Sequence, residues 1–177
     1  PKLTLKSRLW YDTFKNTLDS YDDFTYSTQK GKQGWTSIYD DYALGANVNL
    51  VWATADNNDL KFGGNYKYDV HRSHNVGEPV AHISEGIYSF VVEDEARLNR
   101  QLSVTASVGW FGRTGYKVEE YNSKTGITEL PNSHDSNINA LAAIDYHPSA
   151  DQHLRFTVGR SSLFARMKDR YSYKLGK

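Results

Sequence analysis

The sequence predicts an all-β fold, made of antiparallel up-and-down strands of a transmembrane β-barrel. Three observations lead to this prediction. Apolar and polar side chains alternate along about seven segments, as they do in strands with one apolar face. The polar positions carry charges of both signs, and short turns alternate with long polar connections. Together these features place the apolar face toward lipid and the polar face toward a wet lumen.

The alternation defines each strand in turn. The segments lie at residues 3–11, 38–52, 60–70, 88–98, 102–110, 138–146 and 154–158. The second covers about fifteen residues, which is long for a soluble strand. In this segment Leu44, Ala46, Val48 and Leu50 share the apolar parity, whereas Asn47 and Asn49 share the polar one. In the fourth, Asp94 is the one clear violation on the apolar side.

The connections between the segments also alternate. The stretches at 54–59, 99–101 and 147–152 are short and contain Asn, Asp or Pro, which favour turns. Those at 17–34, 71–86 and 112–136 are long and polar, and a further stretch begins at 161. In an outer-membrane barrel, short turns are periplasmic and long loops extracellular. We therefore expect Asn57, Arg100 and Ser149 at the periplasmic end and the histidines His71, His74 and His82 at the extracellular end.

The side chains of the two faces favour a membrane barrel over a soluble one. The expected lumen face mixes both charges: Lys6, Arg8, Lys61, Lys67, Asp69, Glu93, Glu95, Arg97 and Arg155. The expected lipid face has aromatic residues near strand ends, where interfacial girdles form: Tyr11, Trp52, Tyr68, Tyr88, Trp110 and Tyr146. The alternative is a soluble sandwich or lipocalin-like barrel whose polar strand faces meet solvent.

Composition restricts the function classes. The chain has 177 residues, with 21 basic and 21 acidic side chains, so no overall attraction to nucleic acid is implied. It has no Cys, which excludes disulfides, thiolate metal sites and a Cys nucleophile. No sequence motif for catalysis is found, and we interpret Glu93 and Glu95 beside Arg97 as ion-pair partners. The sequence therefore predicts neither an enzyme nor a cofactor.

The long connections supply the candidate ligand-binding residues. Residues 69–84 concentrate His71, Arg72 and His74 in a stretch that we expect at the barrel mouth. Two tyrosines of the connection at 112–136, Tyr116 and Tyr121, are placed to stack on a ligand there. The histidines lack the close spacing typical of a metal site, so a solvated polar loop is the alternative and no metal is predicted.

Residues 153–177, HLRFTVGRSSLFARMKDRYSYKLGK, resemble a segment of TonB-dependent outer-membrane receptors that reads Ser-Arg-x-x-Arg-Phe-Pro-Thr-Leu-Lys-x-Arg-Tyr-Ser. The matching positions are Arg160, Ser161, Phe164, Arg166, Met167, Lys168, Arg170, Tyr171 and Ser172. The Phe-Pro-Thr core of that pattern is absent. The resemblance implies a bacterial outer-membrane location and uptake of a scarce extracellular ligand, such as a ferric siderophore or cobalamin. It also implies an inner-membrane energising complex as partner.

About seven strands do not close a bacterial barrel, for which even numbers are the rule. We therefore expect residues 1–177 to form a segment of a larger barrel wall, without a plug domain. Its partners would be outer-membrane lipid, the remaining barrel and plug, and a small-molecule ligand. If an eighth strand exists, DDFTYSTQ within residues 17–34 is its expected location. The alternative is a small stand-alone or soluble barrel that binds an apolar ligand.

Overall fold

The computed structural model describes residues 2–31, 34–165 and 170. Long strands dominate these residues, and each short connection joins two neighbours in the sheet. The strands are β1 (Lys2–Ser20), β2 (Trp35–Ala55), β3 (Asn58–Asn75), β4 (Ala81–Arg97), β5 (Leu102–Asn122), β6 (Gly126–Glu129), β7 (His134–Ser149) and β8 (Gln152–Arg160). No helix in the described part of the chain is long and apolar enough to cross a membrane.

The strands form one eight-stranded antiparallel sheet in the order β1-β2-β3-β4-β5-β7-β8, with β6 paired to β5 beside this path. The predicted all-β, antiparallel, up-and-down arrangement is thus confirmed. Six of the seven predicted segments lie within strands of the main path, and the seventh, 88–98, exceeds β4 by one residue. In the described residues the sheet is not closed, because β1 and β8 each pair with one neighbour.

The predicted long loops are wrong in length. Strands β3 and β4 extend through most of residues 71–86 and leave only 76–80 as a connection. Strand β5 likewise continues to Asn122, inside the predicted loop at 112–136. Polar side chains support these extensions by pairing across strands: Ser37 Oγ donates to Asn75 Oδ1 at 2.7 Å. Such cross-strand hydrogen bonds stabilise strand segments that lack alternating apolar residues, so the sequence pattern did not predict these extensions.

The eighth strand is not where the sequence placed it. It is β6, in the connection at 112–136, whereas the described residues between β1 and β2 contain no strand. In that connection Asp22 accepts hydrogen bonds from the backbone N–H groups of Lys30 and Gly31, both at 2.8 Å. Its carboxylate also accepts from Thr28 Oγ1 at 3.1 Å. A side chain that binds nearby backbone donors competes with strand pairing, which explains the loop.

The register preserves the predicted faces across the sheet. Leu5 pairs with Leu50, and Leu50 pairs with Phe62 on the next strand. Directly paired residues point to the same side, so the apolar positions merge into one continuous apolar face. This face is open: the exposed fraction is 84% for Leu9 and 68% for Phe156. Only four apolar residues in the described part of the chain are buried, namely Ala43, Val70, Val118 and Ala143.

In the described strands, two charged residues lie on the apolar face between its short-turn end and the level of Tyr66 and Tyr88. Asp94, the predicted violation, accepts a hydrogen bond from Asn58 Nδ2 at 2.6 Å near the short turn between β2 and β3. Arg160 lies opposite Ala140, where β8 ends.

Of the other positions in the receptor-like segment, Arg166, Met167, Lys168, Tyr171 and Ser172 lie outside the described residues.

The short and long connections lie at opposite ends of the strands, as predicted. Asn57 and Arg100 belong to the short connections and Ser149 ends β7, at the same end of the sheet. His74 and His82 lie at the other end, near the connections that follow β1, β3 and β5. We call these the turn end and the loop end.

Candidate functional site

The side opposite the apolar face, called here the polar face, carries ion pairs near the turn end. Lys61 Nζ lies 3.0 Å from Glu93 Oε1 and 2.5 Å from Glu95 Oε2. Arg97 and Asp59 form a longer pair at 3.4 Å. The predicted interpretation of Glu93 and Glu95 as ion-pair partners is confirmed. The two carboxylates share the single ammonium of Lys61.

A buried cluster lies farther toward the loop end of the polar face. Arg113 on β5 has 1% side-chain exposure and Glu85 on β4 has 5%. Arg113 Nη1 donates to Glu85 Oε2 at 3.3 Å, and Nη2 donates to Asp135 at the start of β7. Arg170, which follows β8 in the chain, also donates a hydrogen bond to the Glu85 carboxylate. The cluster joins three strands and a distant part of the chain through charge-assisted hydrogen bonds.

Between the ion pairs and the buried cluster, the polar face of β2 to β4 has two rows of uncharged residues, and Lys6 and Arg8 of β1 lie beside these rows, opposite Asn49 and Asn47. An open groove of about 360 Å³ is lined there by amides and a hydroxyl: Asn47, Asn49, Asn65 and Ser89. Asn47 Oδ1 accepts a hydrogen bond from the indole of Trp10 at 3.2 Å. The side chains of Asn49, Asn65 and Ser89 have no hydrogen-bond partner within the described ranges. The groove therefore offers unpaired donors and acceptors beside the ion pair of Lys61 and Glu93, which also lines it.

A bulge changes the face of β5 at the loop end. Glu85 pairs with Gly115 but Ser84 pairs with Lys117, so Tyr116 is the additional residue. Its ring lies 5.8 Å from that of Tyr68, and the two hydroxyls of Tyr116 and Tyr66 are 3.4 Å apart. Tyr116 thus belongs to a tyrosine cluster at the border of the apolar face. A bulge reverses the parity of the residues that follow it, so Lys117 points to the outer side and buried Val118 to the inner side.

Beyond the bulge the outer side is charged, in the region called here the rim. Glu119 accepts hydrogen bonds from the backbone N and ring Nδ1 of His82, at 3.0 and 3.1 Å. Lys117 Nζ lies 2.6 Å from Glu119 Oε1. The hydrogen bond from Lys117, with those from His82, lowers the pKa of Glu119 below its ordinary value. The same bond to Glu119 raises the pKa of Lys117.

Two predicted ligand-binding residues lie side by side on β3 but face opposite sides. His71 lies on the polar face, where its Nδ1 is 2.9 Å from Asp41 Oδ2. Arg72 lies on the outer side and donates to Asp40 Oδ2 at 2.7 Å. Its guanidinium also lies 5.4 Å from the ring centre of Tyr42. Both side chains are therefore held by neighbours on β2.

The remaining predicted residues do not join them. His74 pairs with Ile38, Tyr116 belongs to the tyrosine cluster, and Tyr121 pairs with Ile127 of β6. All five lie on strands rather than in loops, and the structure does not bring them together into one site. No cluster of three or more metal-ligating side chains is present in the part of the chain described.

Sequence reasoning missed both the buried cluster and the groove. Glu85 and Asp135 lay within predicted loops, so their contact with Arg113 required knowledge of strand pairing. Asn47 and Asn49 were recognised as polar-face residues, but their proximity to Ser89 depends on the register of three strands. The available signal in the sequence was that Asn47, Asn49 and Ser89 are all polar but uncharged.

Comparison with protein-family models, with curated proteins and with solved structures finds no match to this chain. Function is therefore inferred from the two faces of the sheet and from the side chains they carry. The apolar face has exposed residues such as Leu9, whereas the polar face contains the buried pair of Glu85 and Arg113.

Proposed function

We propose that this chain is part of the wall of an outer-membrane receptor or transporter barrel that takes up a scarce extracellular ligand. The observation that carries the proposal is the inverted placement of side chains. Exposed leucines and aromatics form one face, while charged residues such as Arg113 and Glu85 are buried. Lipid covers an apolar outer face of this kind, and a wet lumen accommodates paired charges.

The aromatic residues support the same placement. On the apolar face, Tyr88 and Trp110 lie with ring centres 5.1 Å apart, near the tyrosine cluster. Trp52 and Tyr146 lie toward the turn end of the same face. Amphipathic rings are stable where headgroups meet hydrocarbon, so two aromatic levels fit two membrane interfaces. The charged rim beyond the tyrosines would then lie outside the membrane.

The uptake role is supported by the receptor-like segment at residues 153–177. Its Arg160 and Arg170 match arginines in the pattern of TonB-dependent receptors, and Arg170 contacts Glu85 on the polar face. This contact supports a position of Arg170 on the proposed lumen side of the wall. The proposal includes a siderophore or cobalamin as ligand and an inner-membrane energising complex as partner.

Spin labels in the intact protein, reconstituted in bilayers, test the wall assignment. Labels at Leu44, Val48 and Leu50 should be accessible to oxygen and protected from a nickel chelate. Labels at Asn47 and Asn49 should show the opposite preference, since their parity places them on the polar face. Oxygen-accessible, nickel-protected labels at the asparagines would reverse the assignment.

Transport requires a second measurement. Cells that express the intact protein should accumulate a labelled ferric siderophore or cobalamin, and collapse of the inner-membrane proton gradient should stop the accumulation. A soluble binding module, the alternative function, would bind ligand without detergent and without any effect of the gradient. Gradient-independent accumulation would contradict the proposed energised uptake.

A further inference from the structure

Two histidines flank the turn between β7 and β8, in the sequence HPSADQH. His147 follows Tyr146 and His153 precedes Leu154, and Tyr146 pairs with Leu154 across the hairpin. His147 and His153 therefore occupy the next pair of positions toward the turn. Their parity is that of Asp145, so both side chains lie on the polar face at the turn end.

The backbone of the hairpin brings these two side chains close together. The N–H of His147 donates to the carbonyl of Gln101, which precedes β5, at 2.7 Å. This N–H points away from β8, as in a non-hydrogen-bonded pair of an antiparallel ladder, whose side chains are closer than those of a hydrogen-bonded pair. The rings of His147 and His153 accordingly stack, with centres 4.3 Å apart and planes inclined by 3°.

One nitrogen of the His153 ring is occupied, and this leaves the other available. His153 Nε2 lies 2.8 Å from Asp145 Oδ1. An imidazole that donates one N–H to a carboxylate presents a lone pair on its other nitrogen, and such carboxylates orient the histidines of many metal sites. His153 Nδ1 and the ring nitrogens of His147 have no hydrogen-bond partner among the described residues. Each ring can therefore offer one lone pair to a metal ion.

The spacing of the two rings suits a single metal ion. A metal with bonds of about 2.0 Å to two nitrogens holds these nitrogens about 3 Å apart. Rings that stack at 4.3 Å reach this spacing when they tilt toward each other, and both residues are exposed and free to do so. Only two side chains would bind directly, with water completing the coordination. Such a site is compatible with the absence, in the described part of the chain, of a cluster of three metal-ligating side chains.

Charge neither favours nor opposes metal binding at this hairpin. Asp145 accepts from Arg155 Nη1 at 3.4 Å, and Asp151 lies in the turn. Arg100 lies in the connection before β5, which is hydrogen-bonded to the hairpin. These formal charges cancel, so binding here depends on coordination by imidazole. Imidazole suits Cu²⁺, Zn²⁺ and Ni²⁺, whereas Mg²⁺ and Ca²⁺ prefer oxygen ligands.

We infer that His147 and His153 form a two-histidine site for a divalent transition metal of the Cu²⁺, Zn²⁺ and Ni²⁺ class. Asp145 is a positioning residue that holds the His153 ring through Nε2. This site goes beyond the proposed function and does not rest on it, because the hairpin is the same in a membrane wall and in a soluble module. It lies at the end of the sheet opposite His74.

Pulsed electron paramagnetic resonance of the intact protein in detergent, with one equivalent of Cu²⁺, tests the site. The spectrum should show two coordinated imidazoles in the wild type and one in either His147→Gln or His153→Gln. His134→Gln, which removes a histidine at the other end of β7, should keep both. The inference is overturned if the wild type shows fewer than two imidazoles. It is also overturned if either substitution in the pair leaves the wild-type spectrum unchanged.

Titration calorimetry with Cu²⁺ then tests the positioning role of Asp145. Asp145→Asn keeps both imidazoles but weakens the hydrogen bond that orients His153, so the affinity should fall about tenfold. Asp151→Asn is the matched control, because it removes the same charge in the same turn and has no hydrogen bond or ion pair among the described residues. Its affinity should be unchanged, and equal losses in the two variants would contradict the role of Asp145.

Competition between metals tests the class of ion. Excess Zn²⁺ should displace Cu²⁺ from the pair, although Cu²⁺ binds more tightly, because both ions accept imidazole. Excess Mg²⁺ should displace none, because it prefers oxygen ligands. Displacement of Cu²⁺ by Mg²⁺, or failure of Zn²⁺ to compete, would contradict the proposed metal class.

Discussion

Arg113 is a residue at which burial and charge make a large energetic effect predictable. Its side chain is 1% exposed and contacts both Glu85 and Asp135. Removal of one partner from a buried ion pair leaves the other charge uncompensated. Arg113→Met should therefore lower the free energy of unfolding by about 3 kcal/mol, near the low end for buried pairs because Arg170 still contacts Glu85.

Denaturant unfolding of the intact protein in detergent measures this loss, and Arg155→Met is its control. Arg155 is 53% exposed on the side chain and lies 3.4 Å from Asp145 Oδ1. An exposed pair contributes only about 0–1 kcal/mol, so this control should be nearly neutral. Similar losses in the two variants would show that burial of Arg113 has no special effect.

Two glycines on the apolar face should respond differently to the same substitution. A Cβ on Gly112 would lie only 2.1 Å from Cε2 of Tyr88, whereas a Cβ on Gly64 meets nothing within 4 Å. Gly112→Ala must displace the Tyr88 ring and should cost about 1–3 kcal/mol. Gly64→Ala should be neutral or slightly stabilising, because alanine restricts the unfolded chain more than glycine.

Thermal unfolding midpoints of the two glycine variants provide the comparison. The wild-type fluorescence of Trp110, whose ring lies beside Tyr88, gives a local signal for displacement of that ring. An unchanged midpoint for Gly112→Ala would mean that the Tyr88 ring moves aside without cost.

At the level of elements, the bulge in β5 places Lys117 and Glu119 of the rim on the outer side of the sheet. The contribution of this ion pair to stability should depend on pH. The pKa of Glu119 is lowered in the folded state by Lys117 and His82. A carboxyl with a lowered pKa contributes stability above its unfolded pKa, about 4.3, and loses it as pH falls through the folded value. Glu119→Gln should therefore lower the melting temperature at neutral pH but not in strong acid.

The measurement is the difference in melting temperature between wild type and Glu119→Gln over a series of pH values. This difference should shrink as pH falls below the unfolded pKa of about 4.3 and vanish below the lowered folded pKa, where Glu119 is protonated in both states. Glu120→Gln is the control, because Glu120 follows on the same strand with the opposite parity and pairs with Thr128. A constant difference across the series would contradict the role of the Glu119 carboxylate.

Some parts of the strands could not be predicted from the alternation of apolar and polar residues. Alternation identified every strand of the main path within its apolar span, since burial of one face requires a period of two. It missed the loop-end extensions, in which pairs such as Ser37 with Asn75 replace apolar contacts. It also missed β6, because a four-residue strand contains too few positions to show a period.

For the whole molecule, the open edges and the apolar face predict association in water. Strands β1 and β8 each have one free edge in the described sheet, and Leu9 is 84% exposed. Exposed edges and large apolar patches favour contact with other chains. The chain expressed as residues 1–177 should sediment as large assemblies in buffer and as much smaller particles in detergent.

Sedimentation velocity with and without detergent checks this expectation. Leu9→Lys and Phe156→Lys, which place charges on exposed apolar positions, should reduce assembly in buffer. Lys6→Gln alters the polar face and serves as the control. A monodisperse monomer in detergent-free buffer would favour the soluble binding module over the membrane wall.

The sequence by itself determined the faces and the order of the strands. The parity that separates Val48 from Asn47 follows from local pleating, and Asn or Pro in the short connections favours turns between neighbouring strands. Tertiary structure alone decided the register, the bulge at Tyr116 and the contact of Arg170 with Glu85. These features join residues distant in sequence, and their energies depend on which side chains meet across strands rather than on any local pattern.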